Sequence, residues 1–155
     1  MTHFADFRVK LGQAVLLGND GFGEARLAPI LGGTVEDSGP TGTILPGGAD
    51  EQCIRADGLT RIHARYVVEA ADGALIRVDS QGLRYGPPEV IAALQRGERI
   101  DPALVYFRTV IRLETSAPSH DGLNRTLFLS TGRRLPDCVL LQLTALKLAL
   151  SAQFR

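Results

Sequence analysis

Asp50, Arg108 and Glu114 are the residues of this chain best suited, by type and setting, to moving a proton beside a carbonyl group. Asp50 closes the run Pro46-Gly47-Gly48-Ala49-Asp50. A Gly-Gly pair adopts backbone conformations closed to other residues and lets a ligand or a strand come close. A carboxylate mounted just after it suits a general base or a hydrogen-bond acceptor. The plainer reading is that Asp50 only ties the turn to its own backbone. Arg108, Arg112 and Glu114 share one parity of an alternating segment, with Tyr106 beside them. If that face points into a barrel, two guanidiniums and a carboxylate must be paired there. They would then clamp an anionic or carbonyl-bearing ligand, with Arg as a bidentate donor. If it points outward, it is an ordinary solvated strand face.

The same choice governs Arg61, His63 and Arg65, which alternate with Ile62, Ala64 and Tyr66. His63 is a residue type able to carry a proton, but it stands alone among surface-type neighbours. Arg84, in Arg84-Tyr85-Gly86-Pro87, either binds a ligand at a barrel mouth or stacks on Tyr85. Asn124, in Leu123-Asn124-Arg125, either orients a ligand carbonyl or caps the preceding turn.

Other chemistries lack their residues. Gly47-Gly48 is not followed by the Lys-Ser or Lys-Thr of a phosphate loop. No Gly-x-Ser-x-Gly elbow is present, and neither Cys53 nor Cys138 has a base nearby in sequence, so a covalent hydrolase is not expected. The 3 histidines and 2 cysteines show no ligand spacing, so no metal is expected, and the isolated Gly21-Phe22-Gly23 does not define a cofactor loop. No cofactor is expected.

Most segments read as strands. Phe7, Val9 and Leu11 alternate with Arg8 and Lys10. Arg26 to Gly33 forms a second candidate, with Pro29 at an edge or bulge because it donates no ladder bond. Thr43-Ile44-Leu45 stops at Pro46-Gly47-Gly48. Leu59 to Ala70 and Ala74 to Ser80 flank Asp72-Gly73, a hairpin turn. Leu104 to Thr115 places Val105, Phe107, Thr109, Ile111 and Leu113 on one face, and Asn124 to Ser130 makes another strand. Cys138 to Leu150 is Leu- and Ala-rich and could be helical; as the last element of a meander it is taken as a closing strand. One helix is predicted over about 88–96, opened by proline and closed by Gly97.

About eight strands with local connections predict a single domain over residues 1–155. It is mainly β, an antiparallel up-and-down β-barrel with one short helix as lid or plug. Such a barrel is filled by side chains or holds one small ligand. Lys plus Arg and Asp plus Glu both number 17, so no basic excess favours nucleic acid. No apolar run spans a bilayer as a helix, and the start carries no signal-peptide pattern. A cytoplasmic protein without a membrane partner is expected.

Several segments in order resemble the DUF3237 (UPF0311) family of uncharacterised proteins. They are Gly23-Glu24-Ala25-Arg26 to Gly32-Gly33, Leu45-Pro46-Gly47-Gly48-Ala49-Asp50, Ala56-Asp57-Gly58, Ala64-Arg65-Tyr66, Asp72-Gly73-Ala74-Leu75-Ile76, Tyr106-Phe107-Arg108-Thr109, Glu114-Thr115 and Leu123-Asn124-Arg125. The match runs from about residue 20 to 132. The resemblance implies a barrel-like antiparallel fold and a final strand. It adds weight to Asp50, Arg65, Tyr66, Arg108, Glu114 and Asn124 without assigning roles. The family often has Trp where Glu51 stands here, which implies a different ligand preference if that position lines a pocket.

The leading expectation is a cofactor-independent lyase, isomerase or cyclase acting on a small carbonyl or aromatic metabolite in the lumen. Asp50 or Glu114 would be the base, its pKa raised by burial. Arg108, helped by Arg65, would stabilise an oxyanion, and Tyr66, Arg84 or Asn124 would bind the substrate. One alternative is a non-catalytic small-molecule binder. Another is a filled barrel that forms homo-oligomers through an outer strip of Val105, Phe107, Ile111 and Leu113.

Overall fold

The computed structural model describes residues 2–36 and 41–147. Ten strands follow in order: β1 (Thr2–Leu11), β2 (Val15–Asn19), β3 (Glu24–Glu36), β4 (Gly42–Ile44), β5 (Ala49–Ile54), β6 (Thr60–Ala70), β7 (Leu75–Tyr85), β8 (Tyr106–Thr115), β9 (Leu127–Arg134) and β10 (Cys138–Leu146). A helix α1 (Pro88–Gln95) lies between β7 and β8. Short 3-10 turns cover Pro102–Leu104 and Pro118–Arg125.

The strands pair antiparallel in sequence order around a closed ring, and β1 seals it by bonding to both β10 and β3. β4 and β5 share one position in the wall, both bridging β3 to β6, which makes an eight-position barrel. β2 pairs only with β3 and stands outside the ring. It was not foreseen, because its Val15, Leu16 and Leu17 are all exposed and carry no alternation. Closure removes the free edges that an open sheet would present.

Period-two alternation decides which side chains fill the barrel. On β8, Phe107, Thr109, Ile111 and Leu113 are buried, whereas Tyr106, Arg108, Val110 and Arg112 are exposed. The strip expected to join subunits is therefore lumen filling, because the barrel's own interior offers these side chains a nearer apolar surface. Ala5, Phe7, Val9, Ile30, Tyr66, Val78, Phe128, Leu141 and Leu143 complete the same cluster.

The break between β4 and β5 is built by the two glycines. Gly47 has φ +111°, which L side chains rarely adopt. A Cβ on Gly48 would stand 2.4 Å from the Arg65 carbonyl oxygen and 2.6 Å from Tyr66 Cβ. The turn thus lies directly on Tyr66, and Asp50 enters β5 pointing inward, opposite Ala64. Pro29 sits beside the register shift between Lys10 and Leu11, where its carbonyl accepts from Gly12 N at 2.8 Å.

The helix forms as predicted: Pro88 opens it, Glu89 occupies its first turn, and Gly97 follows it at φ +82°. Ile91 and Leu94 bury against Ile54, with Ile100 and Val105 packed alongside. The final segment is a strand over Cys138–Leu146, and residues 148–150 lie outside the described residues. Asn124 is not the start of a strand. It belongs to the 3-10 turn, and β9 begins at Leu127. Among the described residues no helix is long and apolar enough to cross a membrane.

Candidate functional site

The lumen is graded along its axis. One end, from Ala5 and Val35 to Ile76, Leu113, Phe128 and Ala145, is apolar and buried. Its middle carries Asp50, Tyr66, Ser80, Thr109 and Ser130, the last two joined by a hydroxyl hydrogen bond. The end beside α1 carries Arg26, Gln52, Thr60, Arg84 and Arg134. Register sets this band: Gln52 lies across from Arg26 and Ile62, Thr60 across from Arg84, and Arg134 across from Val139.

A short polar chain runs through this band. Arg84 Nη2 donates to Gln52 Oε1 at 3.4 Å, and Gln52 Nε2 donates to Asp50 Oδ2 at 3.1 Å. The Arg84 guanidinium also lies 5.5 Å from the centroid of the Phe107 ring, a cation–π distance. Asp50 Oδ1, Tyr66 Oη, Thr60 Oγ1, Arg84 Nε and Arg26 Nε are buried without a hydrogen-bond partner. Such groups are rare in folded proteins, and each one calls for a reason.

Burial pushes the Asp50 carboxyl above its ordinary range, against the opposing pull of Gln52, Arg84, Arg134 and His63. Desolvation wins because the nearest guanidinium reaches Asp50 only through the Gln52 amide. Burial likewise lowers Arg84 to about 10, and the charge of Asp50 only partly offsets it. Tyr66 is pushed up by burial, then by Asp50. Arg134 is lowered, again chiefly by desolvation.

Two spaces adjoin the chain. In the lumen a cavity of about 20 Å³ touches Asp50, Tyr66, Ser80 and Thr109, and so admits about one water and no metabolite. At the α1 end a cavity of about 500 Å³ is lined by Arg26, Gln52, Arg84 and Arg134, with Leu11 and Leu94 as apolar walls. That volume lies in the range of small-molecule sites. The expected lumenal ligand therefore does not fit the lumen; the mouth is where space and polar groups coincide.

Of the residues singled out in the sequence, Asp50, Tyr66 and Arg84 are buried inside the barrel: Asp50 and Tyr66 share the small void, and Arg84, at the mouth, reaches Asp50 through Gln52. Arg84 turns inward over Phe107, not onto Tyr85. The others lie elsewhere. Arg108 is exposed, donates to the Phe107 carbonyl at 2.9 Å and rests over Tyr106. Glu114 pairs with Arg112 at 3.0 Å on the outer wall. The Arg65 side chain is 72% exposed and donates to Asp79 at 3.2 Å. Neither Arg108 with Arg65 nor Glu114 can act on a lumenal group, because the wall separates them from it. Asn124 is exposed and clasps the end of β8: its Oδ1 accepts from Thr115 N at 2.8 Å and its Nδ2 donates to Thr115 O at 2.9 Å. Glu51, the position where the resemblance led one to expect Trp, is exposed on the outer wall.

Gln52, Arg134 and Arg26 were missed. Gln52 shares the parity of Asp50, Arg134 that of Phe128 and Ser130, and Arg26 that of Ala28 and Ile30. Carrying each strand's inward parity to its end would have found all three.

A wider groove of about 920 Å³ on the outer wall contains His63 and Asp79, 3.2 Å apart. Its central charges satisfy one another: Arg65 and Gln81 also donate to Asp79. Among the described residues no group of His, Cys, Asp and Glu could hold a metal ion.

Fold and site together define a closed antiparallel barrel with a packed lumen and a polar, arginine-lined mouth. The chain belongs to the DUF3237 family, described as a protein of unknown function, whose model matches residues 1–146. A UPF0311 protein of Rhodopseudomonas palustris is 41% identical over 132 residues, 85% of this chain and 86% of that protein. A crystal structure of a conserved protein of unknown function from Rhodopseudomonas palustris superposes with TM-score 0.89 at 38% identity, covering 94% of this chain and 96% of that one. A beta-barrel like protein from Acinetobacter baumannii superposes with TM-score 0.83 at 36% identity, covering 94% of each chain.

Proposed function

We propose that this barrel is a cofactor-independent enzyme of the lyase, isomerase or cyclase type that moves a proton on a small carbonyl-containing or aromatic metabolite. The metabolite binds at the mouth; Asp50 and Tyr66 face the one-water void behind Gln52, so the proton passes between Asp50 and the metabolite through a single water there. The observation that carries this reading is the buried Asp50–Gln52–Arg84 chain, with one Asp50 oxygen and the Tyr66 hydroxyl left unpartnered beside it.

A carboxyl whose pKa is raised toward neutrality is matched to acid–base work at physiological pH. Arg84 supplies positive charge in a desolvated setting, where it stabilises a developing oxyanion more than it would in water. Tyr66, held in place by the Gly48 turn, offers a neutral hydroxyl as a second donor. The alternative of a non-catalytic binder uses the same mouth without turnover.

The two readings separate in deuterated water. Small enolisable ketones and aryl ketones are incubated with the protein, and loss of the α-proton signal is followed by NMR. Exchange above the buffer rate is expected for the wild type. Asp50→Asn should lose it while circular dichroism shows the barrel intact, and Tyr66→Phe should slow it. Exchange that survives Asp50→Asn at the wild-type rate removes Asp50 as the proton carrier.

A further inference from the structure

The mouth holds more positive charge than the chain balances. Arg26, Arg84 and Arg134 reach the cavity from three strands, β3, β7 and β9. Asp50 lies beyond Gln52 and makes no direct ion pair with any of them among the described residues. Arg96, at the rim, is engaged by Glu98 at 2.6 Å; Arg134 donates to the Cys138 carbonyl at 3.5 Å and feels the exposed rim carboxylate Asp137, which leaves Arg26 and Arg84 without a carboxylate at hydrogen-bond distance among the described residues. Arg84 is only 2% exposed, with Nε unpartnered, and Arg26 Nε is buried and unpartnered too.

Guanidiniums taken out of water are costly unless an anion and hydrogen-bond acceptors face them. Three of them around one cavity of about 500 Å³ leave a place for an acceptor that the chain itself does not fill. Leu11, Ala28 and Leu94 on the same lining suit an apolar body attached to that acceptor.

We propose that the mouth cavity is an anion site, in which Arg26, Arg84 and Arg134 hold the carboxylate or phosphate group of a small aromatic or aliphatic metabolite. This rests on the reading above only where it makes that metabolite the substrate of Asp50; anion binding itself stands apart from turnover. A planar guanidinium gives a carboxylate or a phosphate two parallel donors, which a neutral amide or alcohol cannot match in strength.

The test uses benzoate, phenyl phosphate and benzamide as probes, titrated into the full chain at low ionic strength and followed by calorimetry and by amide chemical shifts. Benzoate or phenyl phosphate should saturate one site, benzamide should not, and salt should weaken the anions. Arg134→Gln, a half-buried position less prone to misfolding than Arg84, should weaken benzoate about tenfold, the loss expected for one charge-assisted contact. Asp50→Asn should bind benzoate at least as well as the wild type. Equal affinity for benzamide and benzoate, or unchanged benzoate affinity in Arg134→Gln, would overturn the proposal. If anions bind as described but no probe ketone exchanges, the anion site is supported and the proton-transfer reading alone fails.

Discussion

Asp50→Asn should stabilise the protein, and by an amount that grows with pH. The ordinary carboxyl pKa is 3.8, and burial raises that of Asp50 in the folded state. Between those two values the native protein holds a proton that the unfolded chain has released. Stability therefore falls as pH rises through this window, by about 1.4 kcal/mol per pH unit for this one group. Asn has nearly the same shape, still accepts from Gln52 Nε2, and never ionises. Its slope from this position is zero, so the variant-minus-wild-type difference should climb by about 1.4 kcal/mol per pH unit. It should then level off at the folded pKa of Asp50. Below the ordinary pKa both proteins carry a neutral side chain, and the difference should be small.

The assay is urea denaturation of both proteins at matched ionic strength across roughly pH 5 to 8, where stability is usually greatest. Asp72, Asp79 and Asp121, whose carboxyls are lowered, titrate alike in both and cancel. A difference that stays constant with pH would mean that Asp50 ionises near its ordinary value. Arg84 and Gln52 would then outweigh burial, and the acid–base reading would lose its physical basis.

Arg108→Ala and Glu114→Gln should leave α-proton exchange and benzoate affinity unchanged, with stability shifted by no more than about 0.5 kcal/mol. Loss of exchange in either variant would return these outer-wall groups to the site. Gly48→Ala should destabilise by about 1–3 kcal/mol, because the new methyl meets backbone and Tyr66 Cβ, neither of which can step aside. Gly47→Ala meets open space and should cost only the left-handed backbone penalty, about 1–2 kcal/mol. Thermal melts that rank Gly47→Ala as the more damaging would refute this account of the turn.

The barrel was legible because its strands alternate cleanly. In β6 and β8 the parity of Ile62, Tyr66 and Val68, and of Phe107, Ile111 and Leu113, is unbroken, and all six are buried. The same alternation stated both possible faces of β8 without saying which was inside. The choice falls on the apolar face, since burying Arg108, Arg112 and Glu114 would have cost far more than burying Phe107 and Ile111 gains. Asp50 was visible through its glycine turn. Arg84 was visible only as a residue before a helix, and its inward aim comes from pairing with Thr60 across the hairpin. Gln52 and Arg26 lie far apart in sequence and meet through the β3–β5 pairing, and Arg134 on β9 joins them only when the ring closes. β2 broke the pattern altogether, because both its faces are exposed.

The position of the polar band argues against a purely structural role for it. An eight-position barrel is small enough for side chains to fill, and the far half does so with apolar groups alone. Continuing that filling to the α1 end would cost nothing in polar desolvation, and replacing buried charge by apolar packing is often neutral or stabilising. Instead the middle of the lumen keeps a carboxyl above its ordinary pKa, this end an arginine lowered to about 10, and both hold unpartnered polar atoms. These are all features that subtract from stability. They run from the middle of the lumen to the end where a cavity of ligand size opens, and α1 partly walls that cavity through Leu94 and Gln95. Perturbed ionisable groups gather where a site needs them. The stability to carry them comes from the closed ring and the apolar half, which is what the site proposed at the mouth requires.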